Sequence, residues 1–450
     1  MSFKNHSSNN NLDLISVLLI SFGLLISSAL TGTFIAYPLL AALMLLSLAL
    51  IRRGFSARSL FHMAVTGARQ SLPVVKILLL IGAITAVWMA AGTVPALVYY
   101  GTGLISARFF ILWAFLLTSG VSVLLGTSFG AAGTIGIALM VMARSGGVDV
   151  NPVAGAIIAG AFVGDRCSPM SSSAHLVASI THTSIYSNLR NMVISSLWPM
   201  AIALLFYTGL SLLHPLAIAD HVLTAELAQV FNLSPVVLLP ALAILLLALL
   251  RVDVKLAMLV SIGLGVALAH GLQHYTWLSI IRFTLVGYHL DQVTPLQSIL
   301  LGGGLLPMAK ATLIVLLSTA FAGIFAGSRI LSFVDTWLSR DRTQPQTACV
   351  TVLIAIVSNL FGCTQTIAIL LTGQLMQPHY ASNEQLALAL EDTAVVIAPL
   401  VPWNIAGLIP ATVLAVSPGF IPYTAYLLLL PLFFACRSYL QPDQSLARET

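Results

Sequence analysis

The chain has 450 residues, of which 58% are hydrophobic and only 7% charged, with a formal net charge of +5. A soluble domain carries about 25% charged residues, so a soluble globular protein is excluded, and apolar runs that are continuous rather than alternating exclude a membrane β-barrel. The bases sit in short loops, so the positive balance bears on the orientation of membrane helices and gives no reason to expect nucleic acid as a partner.

Met1 to Asp13 is polar and rich in Asn and Ser. The apolar run after it, residues 14–30, has no small-residue cleavage site and reads as a retained first span rather than a signal peptide. Residues 35–51 form a second span after an uncharged turn. Arg52, Arg53, Arg58 and Arg69 follow in what reads as a loop, which places that loop and the N-terminus in the cytoplasm. Pro73 opens a third span that runs to Met89, and Gly92-Thr-Val-Pro95 interrupts it. Residues 94–105 are a short apolar piece, and residues 109–125 are long enough to cross. The uncharged string Gly126-Thr-Ser-Phe-Gly-Ala-Ala-Gly133 follows directly, then a helical piece, a polar turn at 144–151 and a small-residue run at 154–163.

That run leads into Gly164-Asp-Arg-Cys-Ser-Pro-Met-Ser-Ser-Ser-Ala-His175, where an acid, a base, a proline and four serines interrupt an apolar chain. A span at 192–213 follows. Residues 214–234 lack spanning character and read as a connector. Further apolar segments lie at 236–250, 255–270, 307–326, 347–371, 386–396, 405–416 and 421–436, with an amphipathic, interfacial stretch at 330–342. Residues 271–306 are hard to assign. The expected fold is an all-α polytopic membrane protein with roughly ten to twelve crossings.

Two strings recur, Leu72-Pro-Val-Val-Lys76 and Leu306-Pro-Met-Ala-Lys310, each at the start of an apolar span. Later features recur in the same order: Thr134-Ile-Gly-Ile137 with Thr366-Ile-Ala-Ile369, then Asp165 with Asp392. In the first half the bases follow the second span. In the second half Arg251 and Lys255 fall between the first two. By the positive-inside rule the halves have opposite orientation. The chain therefore divides into inverted-topology repeats at 1–213 and 235–437, the connector 214–234, and a cytoplasmic tail at 438–450. Such repeats with broken or re-entrant helices place a transport site at their interface near the midplane. The breaks at 126–133 and 362–365 stand in corresponding places.

An ionisable residue inside a membrane is a functional candidate by default. Asp165 is the first candidate for proton or cation exchange, because a buried carboxylate is able to exchange protons near neutrality. The alternative is a wetted Asp165–Arg166 loop pair. Glu391 and Asp392 are equally open to an exchange role or to solvation on a surface helix. Thr127, Ser128, Thr364 and Gln365 either line the path or bond preceding helix carbonyls. Asn404 lies among apolar residues after two prolines, where its amide is able to meet an ion or polar solute. Ser168, Ser171, Ser172 and His175 complete the candidate lining, although His175 and His182 equally suit packing. Lys76 and Lys310 read as snorkelling bases, and Trp88, Trp198 and Trp403 as interface anchors. The four cysteines show neither metal spacing nor a disulfide framework. There is no nucleotide-binding phosphate loop and no nucleophile–base arrangement, so neither an enzyme nor a resident cofactor is expected.

Together Gly92-Thr-Val-Pro95, the 126–134 string, Gly164-Asp-Arg-Cys-Ser-Pro-Met-Ser171 and Leu390-Glu-Asp-Thr through Ala398-Pro-Leu-Val-Pro-Trp-Asn404 resemble the NhaC-type sodium/proton antiporters, from about residue 81 to 434. The resemblance implies a secondary transporter of the bacterial inner membrane, working by alternating access, with Na⁺ and H⁺ as its substrates and the lipid bilayer as its setting. It implies Na⁺ at Asp165, Ser168, Asp392 and Asn404, and the broader superfamily implies a homodimer. Some members move organic acids or amino acids, so coupled transport of a small organic solute is the alternative. The chain departs from the family in two places: Ser172 stands where an acid is usual and His175 where Asn is usual, while Thr364-Gln365 replaces Asp-Gln. The missing acids bear on sodium more than on transport, and His175 is a candidate proton carrier in their place.

Overall fold

The computed structural model describes residues 9–216, 222–290, 302–328, 338 and 343–440. Among them the regular elements are helices, with one isolated bridge between Tyr288 and Gly302. In the first half these are α1 (Asn9–Thr31), α2 (Ala36–Arg52), α3 (Ala57–Gln70), α4 (Leu72–Ala90), α5 (Thr93–Leu104), α6 (Phe110–Leu125), α7 (Ser128–Ser145), α8 (Val150–Cys167), α9 (Ser172–Ile180) and α10 (Ile185–Leu213). A short α11 (Val222–Val230) lies in the connector. The second half continues with α12 (Pro235–Leu249), α13 (Val254–Gly271), α14 (Trp277–Val286), α15 (Leu305–Gly327), α16 (Gln344–Gly362), α17 (Gln365–Met376), α18 (Asn383–Leu400), α19 (Ile405–Val413) and α20 (Ala425–Leu440).

The protein is an all-α polytopic membrane protein. Seven described helices are long and apolar enough to cross a bilayer, or eight with the α18–α19 pair, which bends by 49°, counted as one. Five shorter apolar helices accompany them. The burial pattern is that of a membrane interior: Leu205, Leu213 and Leu278 are more than 70% exposed, while Arg166, Glu391 and Asn404 are fully buried. With no water in the hydrocarbon core, polarity collects where protein covers it.

Order and packing both recur. The helices α1 to α4 and α6 to α10 are answered one for one by α12 to α15 and α16 to α20, with Pro73 and Pro307 in the first turn of α4 and α15. Contacts between the halves are reciprocal: α2 and α3 pack on α15, and α13 and α14 pack on α4. Likewise α9 lies against α17, and α19 against α7. Exchange of equivalent partners is what a two-fold relation between halves produces.

Small residues let α6 and α8 cross closely, as is usual between membrane helices. Gly160 and Gly164 sit on the face of α8 turned to α6, where a Cβ on Gly164 would come 2.0 Å from the Ser122 carbonyl carbon. Ser122 Oγ donates to the Ala161 carbonyl across this contact.

Three expectations change. Residues 57–70, read as a loop, form α3, because Ser56 accepts from the Ser59 amide (3.1 Å) and caps an amphipathic sequence. Trp88 and Trp403 are buried rather than interfacial, each indole N–H finding an acceptor inside: Ser261 Oγ for Trp88 and the Leu360 carbonyl for Trp403, both at 2.9 Å. Trp198 is exposed, as are Lys76 and Lys310. The stretch 330–342 lies outside the described residues apart from Leu338, as do Asp291 and the tail from 441.

Candidate functional site

Each half breaks its apolar helices twice, and in each half the two breaks are fastened together. In the first, α6 ends at Gly126 in the left-handed conformation (φ 67°), Thr127 is extended, and α7 begins at Ser128. In the second, α16 ends at Cys363, also left-handed (φ 51°), Thr364 is extended, and α17 begins at Gln365. The other pair of breaks separates α8 from α9 and α18 from α19.

Ser168 ties the first-half breaks by donating to the Val123 carbonyl (2.7 Å) and accepting from the Met170 amide (3.2 Å). Asn404 does the same in the second. Its Nδ2 donates to the Asn359 carbonyl (3.2 Å) and side-chain oxygen (3.1 Å), and its Oδ1 caps α19 by accepting from the Ala406 amide (3.0 Å). The Ile405 amide donates to the Cys363 carbonyl (2.9 Å). Carbonyls freed by the breaks are thus largely answered by polar groups of the opposing break, as burial requires.

The two halves meet at Asp165, on the last turn of α8 and only 5% exposed. Its Oδ2 accepts from Gln365 Nε2 (2.9 Å), and the Ser128 backbone lies within electrostatic reach of the same carboxylate. Ser128 is the first residue of α7 and Gln365 the first of α17, so the first residue of a helix from each half lies near one acid. Unpaired amides and the helix dipole favour negative charge there. Ser171 and Ser173 Oγ both donate to the Asp165 backbone carbonyl and lie 2.8 Å from each other, fixing the turn after α8.

A second cluster adjoins the first. Arg166 is fully buried and forms a salt bridge with Asp392, the only salt bridge among the described residues. The guanidinium also donates to Ser195 Oγ (2.7 Å), Ser196 Oγ, the Met192 carbonyl (3.1 Å) and Tyr426 Oη (3.4 Å). Ser195 Oγ donates to Asp392 as well (3.2 Å). Glu391 is fully buried beside them, within electrostatic reach of Arg166, Asp165 and Asp392, and neither of its carboxyl oxygens has a hydrogen-bond partner. One base and three acids thus share a sealed region.

The alternatives left by the sequence narrow here. Asp165 and Arg166 are not a wetted loop pair, since both are buried and each turns to a partner from the other half. Glu391 and Asp392 are on no surface helix. Thr364 caps α17, accepting from the Ile367 amide (3.2 Å), and Thr127 is half-buried at the start of α7. Ser172 and His175 stand on the exposed side of α9, apart from the acids, with His175 Nε2 against the Pro169 carbonyl (3.0 Å). Asp165, Ser168, Asp392 and Asn404, expected to share a sodium ion, have separate hydrogen-bond partners. Among the described residues no three His, Cys, Asp or Glu side chains form a metal-holding group.

Sequence reasoning missed Asn359, Ser173, Ser195, Ser196 and Tyr426. The signal for Asn359 and the Ser195-Ser196 pair was legible: polar groups in the middle of apolar spans, which in lipid imply a buried partner.

The sequence model of the Na⁺/H⁺ antiporter family matches residues 11–181 and 160–437. The chain is similar to the malate-2H⁺/Na⁺-lactate antiporter of Bacillus subtilis, 27% identical over 384 residues, which is 83% of this chain and 82% of that one. It is similar to the Na⁺/H⁺ antiporter NhaC of the same organism, 28% identical over 411 residues, 88% and 90% of the two chains. It is also similar to the arginine/ornithine antiporter ArcD of Halobacterium salinarum, 28% identical over 392 residues, 82% and 79%.

Proposed function

The chain belongs to the Na⁺/H⁺ antiporter family, and we propose that Asp165 is the acid at which Na⁺ and protons exchange. One observation carries this reading: Asp165 is buried where a broken helix from each half presents its first residue, Ser128 on one side and Gln365 on the other. A carboxylate so placed is shared by both halves, and rocking one half against the other would pass it from one face of the membrane to the other. In this conformation donors hold it, so a sodium ion reaching it takes the place of the Gln365 amide. Hard cations take oxygen ligands, and Ser128, Ser171 and Thr364 lie on the turns that would supply them. Asp392 takes part through Arg166. The recurring order of helices and their reciprocal packing support two repeats. The arginines at 52, 53, 58 and 69 after the second span of the first half, against Arg251 and Lys255 between the first two spans of the second, support opposite orientations for the repeats, with both termini on the cytoplasmic side of a bacterial inner membrane.

The test is proton movement in tight proteoliposomes holding a pH dye. Addition of Na⁺ or Li⁺ should dissipate an imposed proton gradient. Asp165→Asn, which keeps the shape and removes the exchangeable proton, should lower that response at least a hundredfold. A folded Asp165→Asn protein that still exchanges at the wild-type rate would sink the assignment.

A second reading has a specific observation behind it. A cavity of about 470 Å³ lies away from Asp165, between α4, α7, α15 and α19, lined by Thr85, Met140, Arg144, Met308 and Thr412 among others. That is large enough for a small organic solute, and Arg144 offers it a cation. Under this reading malate, lactate or an amino acid would accelerate exchange several-fold over Na⁺ alone.

A further inference from the structure

Arg166 and Glu391 each leave buried polar atoms unanswered, and they do so in the same cluster. All five guanidinium N–H groups of an arginine seek acceptors, yet Nε of Arg166 has none while its two terminal nitrogens are fully engaged. Glu391 is fully buried with both oxygens free of donors. An ionised carboxylate cannot remain in such a place without a partner, so in this conformation the side chain is a neutral acid. Asp392, its neighbour in sequence, differs because Arg166 and Ser195 satisfy its charge. Asp165 differs because Gln365 Nε2 donates to it.

The other titratable and charged groups around Glu391 are few. Asp165, Arg166 and Cys167 close α8, Asp392 shares α18, and Tyr426 on α20 lies against the Arg166 guanidinium. Arg437, also on α20, acts on Asp392 from further away. Arg166 is therefore the one cation within the cluster, and its bond to Asp392 leaves two acids, Asp165 and Glu391, without a cationic partner of their own.

We propose that Glu391 carries an exchanged proton of its own, separate from Asp165, and that Nε of Arg166 is the seat that receives its carboxylate once the proton has left. This rests on the antiport reading above and adds a second proton to it. In the proton-loaded state Asp165 and Glu391 are both neutral and Arg166 balances Asp392. Sodium binding at Asp165 displaces the first proton to the open side. That step trades one positive charge for another; the second proton leaves Glu391 to the same side as its carboxylate turns to Nε of Arg166, whose N–H then answers it. Each sodium ion is thus exchanged for two protons, and transport carries net charge. No bond other than O–H is made or broken.

The test is the proton-to-sodium ratio, measured from the pH gradient at which proteoliposomes with a fixed Na⁺ gradient and the membrane potential clamped at zero show no net proton flux. The wild type should give two and Glu391→Gln one, with ²²Na⁺/Na⁺ exchange still present in the variant. Glu391→Asp, which keeps an acid, should hold the ratio at two even where its rate falls. A measurement free of flux supports these: Na⁺ added to detergent-purified protein in weak buffer should release two protons per bound ion from wild type and one from Glu391→Gln. An unchanged ratio in Glu391→Gln, or a tenfold loss of Na⁺ affinity at unchanged ratio, would overturn the proposal and leave Glu391 a packing residue or cation ligand. A wild type that moves no protons with Na⁺ would instead overturn the antiport reading, and this inference with it.

Discussion

Removing the Arg166 guanidinium would leave Asp392 charged and fully enclosed, whereas removing both partners would leave neither charge to be answered. Breaking a buried pair from one side typically costs about 3–5 kcal/mol, while replacing the whole pair by apolar groups is often neutral. Arg166→Met should therefore lower the unfolding midpoint in detergent strongly, and Arg166→Met combined with Asp392→Leu should recover most of the loss. Failure of the double variant to recover would mean that the bonds from Arg166 to Ser195, Ser196 and Met192, rather than the ion pair, hold α8 to α10. The sequence made Asp165 and Arg166 visible as polar intruders in an apolar run. Their sequence adjacency offered a wetted pair as the alternative to a buried site, and their burial rules that alternative out. Successive residues on a helix point about 100° apart, so the two side chains leave α8 toward different neighbours.

Among the elements, the crossing of α6 and α8 governs where Asp165 stands, because it fixes the helix whose end carries the acid. A methyl group on Gly164 would meet the Ser122 backbone, which cannot move as a side-chain tip can. Gly164→Ala should cost about 1–3 kcal/mol by overpacking and displace Asp165 from Ser128, so that exchange falls along with stability. Gly126→Ala acts on the break itself. Its left-handed backbone alone disfavours a side chain by about 1–2 kcal/mol, and a Cβ would lie 2.5 Å from that of Met170. Stability in detergent and exchange rate, measured on both variants, check the two effects. Exchange by Gly164→Ala at the wild-type rate would show that the crossing need not be so close. The glycines were readable as breaks and small-residue spacing, but which helix each one faces was not, since periodicity within a helix names no partner.

For the whole molecule, opposite orientation of the repeats makes a prediction about sidedness. In a protein freed of its four native cysteines, single cysteines at Gly54, in the turn after α2, and at Arg251, in the turn after α12, should both be labelled from the cytoplasmic side. Cysteines at Gly32 and His274 should be labelled from the other side. If Gly54 and Arg251 label from opposite sides, the repeats are not inverted as the charges indicate. The recurring order of helices and the exchange of partners between α2–α15 and α13–α4 are what such a relation would leave in the packing.

The sequence by itself determined that this is a helical membrane protein, where its helices break, and which acids are out of place in lipid. Those properties follow from the chemistry of short stretches: continuous apolar runs, glycine and proline punctuation, and the penalty for polarity in hydrocarbon. It also carried enough of its motifs to indicate the antiporter family. Only the tertiary structure decided which acid meets which partner. Asp165 is joined to Gln365 and Arg166 to Asp392 across about half the length of the chain, while Glu391 has no partner and Ser172 and His175 face away. Pairing over such separations is set by how two sets of helices fold against each other. A buried charge is settled by that arrangement and not by its neighbours in sequence.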